Sequence, residues 1–324
     1  MSVPFVSIVI PAFNAGHTIS HAIAACLEQE YPKDRIEIII VDDGSKDDTR
    51  EAVGRFPVRY ISQDKKGPAF ARNNGWRNSR GEVVCFTDAD CAPYRDWVSK
   101  LVQHCDKKGV AAVAGSYAVD SSRYLLDKFV HFEIRYRHFM MPEYINSFGT
   151  YNVLIKRSVL EELSGFDPGY SHASGEDSDL SYRVIKKGYR IYFEKSALTG
   201  HNNILRFWKY IMIQFKHGYW RLKIYKKNRS MITKDDYGYW KDFAEVFLVL
   251  SLGLFLLLGG FEKGLVAGAL AVALYIIQLP LAFRISFRER DFRYMAFSFV
   301  TFIRAFVRIA GGMLGFIRFW IIGK

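Results

Sequence analysis

Two acidic clusters carry the strongest chemical information in this sequence. Asp88-Ala89-Asp90 closes the apolar run Glu82-Val83-Val84-Cys85-Phe86-Thr87, and Gly175-Glu176-Asp177-Ser178-Asp179-Leu180 opens a helical pattern downstream. Carboxylates on alternate residues past a strand end suit a hard cation such as Mg2+ or Mn2+, held against the concentrated charge of a diphosphate. A carboxylate near a helix start is favoured by the helix dipole, and Asp177, with Glu176 beside it, has the chemistry of a general base toward a hydroxyl. Each cluster alone also has a plain reading, a solvated turn for the first and helix capping for the second. Asp179 and Arg183 stand four apart and read as a helical ion pair.

Other polar residues fall at similar places. Asp42-Asp43-Gly44-Ser45 follows the run Ile36 to Val41. A carboxylate at Asp42 can accept a hydrogen bond from a pyrimidine imide, although Asp and Gly also suit a simple turn. Asn14 follows Val6-Ser7-Ile8-Val9-Ile10-Pro11 in the same way. Ligands of open α/β sheets sit at the carboxyl ends of strands, so Asn14, Asp42 and Asp88 are expected to converge on one crevice. His201 is a lone histidine past a later strand. Such residues are more often structural, but an imidazole there could complete a site begun by Asp90.

The elements that must position these groups are legible as alternating patterns. Strands are expected at Val6–Pro11, Ile36–Val41, Val58–Ile61 and Glu82–Thr87, with helices over 17–30 and 67–78 between them. Continuous apolar strands alternating with helices indicate an α/β fold, a largely parallel sheet covered on both faces. Further strands are expected at 110–116, 148–155 and 189–193, and helices at 122–141 and 176–187.

Composition changes after His201. Residues 206–229 interleave aromatics with lysines and arginines, as in a helix lying at a membrane interface. Residues 243–260 and 264–283 are apolar stretches of about the length that spans a bilayer, separated by Glu262 and Lys263. They read as a two-span hairpin. Arg284, Arg288, Arg290 and Arg293 follow, and the positive-inside rule puts them in the cytoplasm with the first domain. Residues 294–322 are apolar but carry Arg304, Arg308 and Arg318 on the same face as Gly311 and Gly315. That segment is expected to pack its Arg/Gly face on protein at the cytoplasmic interface, with a third span as the alternative, because arginine is costly in the middle of an isolated span. The expected organisation is therefore 1–205, a catalytic domain; 206–240, an interfacial helix; and 241–324, a membrane region.

Bulk properties narrow the partners. The formal net charge of +12 asks for an anionic surface or a phosphorylated substrate. No zinc-ligand spacing or basic recognition helix is present, and the last third is too apolar for a soluble nucleic-acid binder, so nucleic acid is not expected as a partner. Cys26, Cys85, Cys91 and Cys105 form no CxxC pair and read as reduced thiols. The N-terminus runs directly into a strand without the pattern of a signal peptide, consistent with a cytoplasmic catalytic domain on a hairpin-anchored or multi-pass membrane protein. Oligomeric state is not legible.

Over residues 5–225 the chain resembles the family 2 glycosyltransferases with the GT-A fold. The resemblance rests on Ser7-Ile8-Val9-Ile10-Pro11-Ala12-Phe13-Asn14, Val41-Asp42-Asp43-Gly44-Ser45, Ala71-Arg72-Asn73, Asp88-Ala89-Asp90, Gly165-Phe166-Asp167 and Gly175 to Leu180, in the family's order. It implies that Pro11, Ala12, Phe13, Asn14, Asp42, Arg72, Asp88 and Ala89 line a nucleotide pocket. It implies a Mn2+ or Mg2+ ion held by Asp90 and His201 with Asp88, and catalysis by Asp177 with Glu176. Asn152, Gln214 and Arg221 are further candidates for donor or acceptor contact. Gln214 to Arg221 resembles the Gln/Arg/Trp motif of processive members but has His217-Gly218 where arginine and tryptophan would stand. Ala15 stands where many members carry an acidic residue.

The implied activity is inverting, metal-dependent transfer from a nucleotide-sugar, expected to be a UDP-sugar, to a hydroxyl of a lipid-linked or cell-surface glycan. The alternative is a polyprenyl-phosphate glycosyltransferase, whose acceptor phosphate is already ionised and needs no base. A non-catalytic nucleotide-sugar-binding membrane protein and a nucleotidyltransferase are weaker rivals. The first does not account for Asp90 and Asp177, and the second lacks a basic phosphate loop near Pro11.

Overall fold

A computed structural model of the chain describes residues 3–118, 124–170, 175–201, 206–230, 236 and 240–323. These divide into two compact units. The first comprises 1–120 and 134–203, and the second 121–133 and 204–324.

In the first unit, β1 (Val6–Ala12), β2 (Ile36–Asp42), β3 (Arg59–Ser62) and β4 (Val83–Phe86) form a parallel half-sheet in the order β3-β2-β1-β4. Its crossovers carry α1 (Ile19–Leu27), α2 (Thr49–Val53) and α3 (Pro68–Arg77). Both faces are covered, which explains why β1 is buried residue after residue from Val6 to Ile10. Ile8 and Ile10 join Ile19 and Ile23 of α1 in one core cluster. On the opposite face α3 lies so close to the sheet that a Cβ on Gly75 would stand 2.3 Å from Val9 Cγ1.

The other half of the sheet is mixed rather than parallel. After β5 (Cys91–Pro93), α4 (Trp97–Val102), β6 (Val110–Tyr117), α5 (Leu125–Met140) and β7 (Tyr144–Ile145), the chain lays β8 (Val153–Lys156) antiparallel between β4 and β6. α6 (Arg157–Glu162) and α7 (Glu176–Lys186) lead to β9 (Arg190–His201), which runs parallel to β6 and antiparallel to β5 and β7. The expectation of a largely parallel sheet thus holds for the first four strands and for the β6–β9 pair, while β5, β7 and β8 are paired antiparallel. β8 opposes both its neighbours, and the segment 148–152 before it is not strand. β9 is longer than its apolar start, because register shifts against β6 carry it to His201.

The second unit takes in the start of α5 and then α8 (Phe207–Lys227), α9 (Trp240–Leu258), α10 (Phe261–Ile276), α11 (Leu279–Glu289) and α12 (Phe297–Phe316). Gly259 and Gly260, at φ +63° and +88°, make the turn between α9 and α10. Among the described residues, two helices are long and apolar enough to cross a membrane, 261–289 and 292–321. The expected first span, inside α9, shares its helix with Lys241, Asp242 and Glu245. The Arg/Gly face of α12 does lie on protein. Arg304 is buried, pairs with Glu133 at 2.5 Å and donates to the Tyr210 hydroxyl at 3.2 Å. Arg308 Nε donates to Gln214 Oε1 at 2.7 Å. Gly311 and Gly315 press against the backbone of α8 at Phe215 and Tyr219, where a Cβ would meet a carbonyl oxygen at 2.1 and 2.4 Å. These partners answer the cost of arginine in an apolar helix.

Gly75→Ala should destabilise the first unit by about 1–3 kcal/mol, since its methyl group cannot fit without moving α3 from the sheet. Denaturant unfolding of the purified protein reads the change, and an unaltered midpoint would contradict the packing.

Candidate active site

The loops after β1 and β2 are tied together before any ligand is considered. Asn14, in the left-handed region at φ +49°, accepts from Lys46 N at 2.9 Å, and its own N–H donates to Ser45 Oγ at 2.8 Å. Asp42 is buried, with one oxygen accepting from Ser45 N at 2.8 Å and the other from the Tyr60 hydroxyl at 2.6 Å. Burial and the Asp42 hydrogen bond push the Tyr60 phenol up to about 12. Asp43 accepts from Gln63 and from the Lys66 and Gly67 N–H groups, shaping the loop that enters α3. Phe13 remains 41% exposed, with Lys65 Nζ 3.8 Å from its ring centroid.

Arg72, in the middle of α3, joins the two acidic clusters. Its guanidinium is buried, with Nη2 2.9 Å from Asp88 Oδ1 and Nη1 2.8 Å from Glu176 Oε1. The cation lies 5.8 Å from the Phe166 ring centroid, and Phe166 meets Phe86 edge-on. Asn73, the next residue, clamps the segment carrying Phe166. It donates to Phe166 O at 2.7 Å and accepts from Phe166 N at 2.9 Å. Gly165 is required there, being at φ +69° and so close that a Cβ would stand 2.3 Å from Asn73 Oδ1. Arg183 holds the same turn by donating to Leu163 O and Gly165 O, and it forms the expected ion pair with Asp179 at 2.8 Å.

Glu176 and Asp177 of the second cluster have different environments. Glu176 is only 2% exposed, with one oxygen on Arg72 and the other on Gly175 N at 3.1 Å. Asp177 keeps partial exposure and accepts from Ser178 N at 2.7 Å. Burial, and then the neighbouring Glu176 charge, raise its carboxyl to about 7, against the lowering pull of the Ser178 N–H and Arg72. Glu176 is thus engaged with Arg72, while Asp177 lies beside it with a raised proton affinity.

The sheet assembles the candidate metal centre. β5 and β9 pair with Cys91 opposite His201, which sets His201 Nε2 3.5 Å from Asp90 Oδ2. Ligand atoms of Asp90, Cys91 and His201 lie within 4.8 Å of one another. Asp88 lies outside that group and is paired with Arg72. A carboxylate beside an imidazole fits a hard or borderline divalent cation. The Cys91 thiol is pushed far above the usual range by burial, which keeps it protonated and a poor ligand. The ring of Tyr117 stacks on Tyr151 at 4.0 Å and meets His201 edge-on at 5.9 Å, an aromatic wall that no local sequence pattern marks.

The expectation that Asn152 contacts donor or acceptor is corrected. Asn152 is 1% exposed, accepts from Trp97 Nε1 at 2.7 Å, and donates to Ser116 O and Ala197 O at 2.9 Å each, so its amide is committed to joining strands. Gln214 and Arg221 belong to the second unit. Gln214 is buried against Arg308, and Arg221 Nε donates to the Tyr225 hydroxyl at 2.8 Å.

Residues 7–164 match the sequence profile of glycosyl transferase family 2. Over those residues the chain is a family 2 glycosyltransferase domain. The probable glycosyltransferase YdaM of Bacillus subtilis is 29% identical over 309 residues, covering 85% of this chain and 71% of YdaM. The Escherichia coli protein WfgD, a UDP-Glc:alpha-D-GlcNAc-diphosphoundecaprenol beta-1,3-glucosyltransferase, is 30% identical over 129 residues, 39% of this chain and 50% of WfgD. Among solved structures, the mannosyltransferase PcManGT from Pyrobaculum calidifontis, in complex with GDP-Man and Mn2+, superposes with a TM-score of 0.67 at 20% identity, covering 96% of this chain and 87% of PcManGT. At that identity the likeness speaks to the fold, which is GT-A. The matched profile includes Asp42, Arg72, Asp88 and Asp90 and ends before Asp177 and His201.

Asp90→Ala and His201→Ala should each weaken Mn2+ binding by tenfold or more, on the order expected for losing one ligand. Titration followed by Mn2+ paramagnetic resonance checks this without any turnover, and wild-type affinity in both variants would remove the pair as a metal centre.

Proposed function

We propose that this glycosyltransferase moves a sugar from a nucleotide-sugar to a hydroxyl of a lipid-linked or cell-surface glycan, with inversion at the anomeric carbon. One observation carries the reading. Arg72 links Asp88, two residues from the candidate metal ligand Asp90, to Glu176, the neighbour of a half-exposed carboxylate at about 7. The groups for the leaving diphosphate and for the attacking hydroxyl are thereby held in one charge network.

In this reading the acceptor hydroxyl gives its proton to Asp177 and its oxygen attacks the anomeric carbon. The bond from that carbon to the diphosphate oxygen breaks, and its electron pair leaves with the nucleoside diphosphate. A divalent cation at Asp90 and His201, Mn2+ or Mg2+, supplies neutralisation of the leaving charge when bound. Pro11, Ala12, Phe13, Asn14, Asp42 and Ala89 border the nucleotide, with exposed Phe13 offering a stacking face. A hydroxyl acceptor accounts for the base, which an ionised phosphate acceptor would not need. WfgD uses UDP-Glc and a diphosphoundecaprenol-linked sugar, which supports a UDP-sugar donor and a lipid-linked acceptor here. The helices 261–289 and 292–321 support a membrane location for the second unit, and the cluster Arg284, Arg288, Arg290 and Arg293 supports a cytoplasmic side for the catalytic unit.

The experiment begins with a screen of UDP- and GDP-sugars for Mn2+-dependent hydrolysis, then transfer by the best donor. Asp177→Asn should lower transfer by a factor on the order of 10² or more and leave donor affinity intact. Transfer near the wild-type rate would point instead to a phosphate acceptor.

The pH dependence has a definite sign. A base must be deprotonated to act, so with its carboxyl at about 7 the wild-type transfer rate should fall about tenfold per unit as pH drops below that value. The residual rate of Asp177→Asn should lack this limb, and a wild-type profile flat from pH 5 to 8 would exclude Asp177 as the rate-controlling base.

A further inference from the structure

The surface of α11 carries an arrangement that the sugar-transfer reading does not use. Leu281, Ala282, Ile285 and Ser286 are buried, which fixes the inner face of the helix. The outer face carries two i,i+4 rows side by side, Phe283 with Phe287 and Arg284 with Arg288. The phenyl rings are stacked at 6.4 Å, 59% and 79% exposed, and Phe292 beyond the helix is 84% exposed. Glu289 lies 3.6 Å from the Arg288 guanidinium, an exposed pair, and Asp291 is bound to Arg293 at 2.8 Å.

Length sets the depth of this face. From Gly264 to Phe283 the chain carries no charge, and at about 1.5 Å per residue that stretch measures about 30 Å, the thickness of a hydrocarbon core. Arg284 then stands at the boundary and Arg288 about one turn beyond it. Pro280, in the first turn of α11, lies within this stretch about one helical turn before Arg284. Aromatic rings beside guanidinium groups at that depth match the two layers they would meet, acyl chain and phosphate.

We propose that the exposed face of α11 is a docking surface for anionic lipid, with Phe283 and Phe287 entering the acyl boundary and Arg284 and Arg288 binding headgroup phosphates. The surface deepens the membrane reading given above and rests on it for the placement of the second unit. Guanidinium suits this task because its planar fork takes two phosphate oxygens at once.

The test uses the full-length protein in nanodiscs of phosphatidylcholine alone or of phosphatidylcholine with phosphatidylglycerol. Backbone hydrogen exchange over residues 279–290 should be slower in the anionic discs, on the order of tenfold. Arg284→Gln with Arg288→Gln should abolish that difference between lipids, and Phe283→Ser with Phe287→Ser should speed exchange in both. Equal exchange in the two lipids overturns the proposal, as does a difference that survives the arginine substitutions. Protection that follows protein concentration instead of lipid charge also overturns it, in favour of a second copy of the chain.

Flotation with vesicles of the same compositions separates the two readings. A chain that stays in solution without detergent yet floats only with anionic vesicles keeps the docking surface and refutes the membrane span. A chain that floats with neither refutes both.

Discussion

A single buried cation shared between two carboxylates organises the catalytic unit. Arg72 reaches Asp88 past the end of β4 and Glu176 at the start of α7, segments far apart in the chain. A guanidinium taken out of water must be paired on the spot, and removing one partner of such a group is far more costly than forming the pair is favourable. The strand end, α3 and α7 therefore hold their places together. Asn73 extends the constraint by clamping Gly165-Phe166 under the same helix. What first looks like four separate short motifs is one connected set of contacts around α3.

That connection also explains the unequal surroundings of Glu176 and Asp177. Successive residues at a helix start point in different directions. Glu176 turns inward to Arg72, and its charge acts on Asp177, which keeps a path to solvent. A carboxylate is made into a better base by a neighbour that performs no proton transfer itself. Gly175, at φ +136°, gives the backbone the turn by which the chain enters α7.

The sequence disclosed the parts of this architecture that follow from local pattern. β1, β2 and β4 are continuous apolar runs because they are buried on both faces, and Asp42 and Asp88 stand at their carboxyl ends as the parallel half-sheet requires. α3 and α7 are found within a residue or two of their expected bounds. The antiparallel insertion of β8 was not legible, since pairing partners are chosen by long-range contacts that leave no period in the chain. β5 and β7, of three and two residues, are too short to show any alternation. Asn152 was mistaken for a ligand contact because an asparagine before a strand looks the same whether its amide faces a substrate or, as here, ties Trp97 to two carbonyls. The Arg/Gly stripe of α12 was legible as a protein-facing surface, but its partner Glu133, in a segment far upstream, was not.

The register of β5 against β9 has a consequence for how the sheet is finished. β5 is the outermost strand on its side, three residues long, and it borders Asp90, while β9 ends on His201. Alternation along a strand means that a slip of one residue would send the imidazole to the opposite face. Any ion gripped by both side chains would act as a rivet through the sheet's margin, binding only the correctly paired form and so favouring it by mass action. Closure of the sheet edge and loading of the ion would then be one equilibrium, in which the metal proofreads the strand alignment.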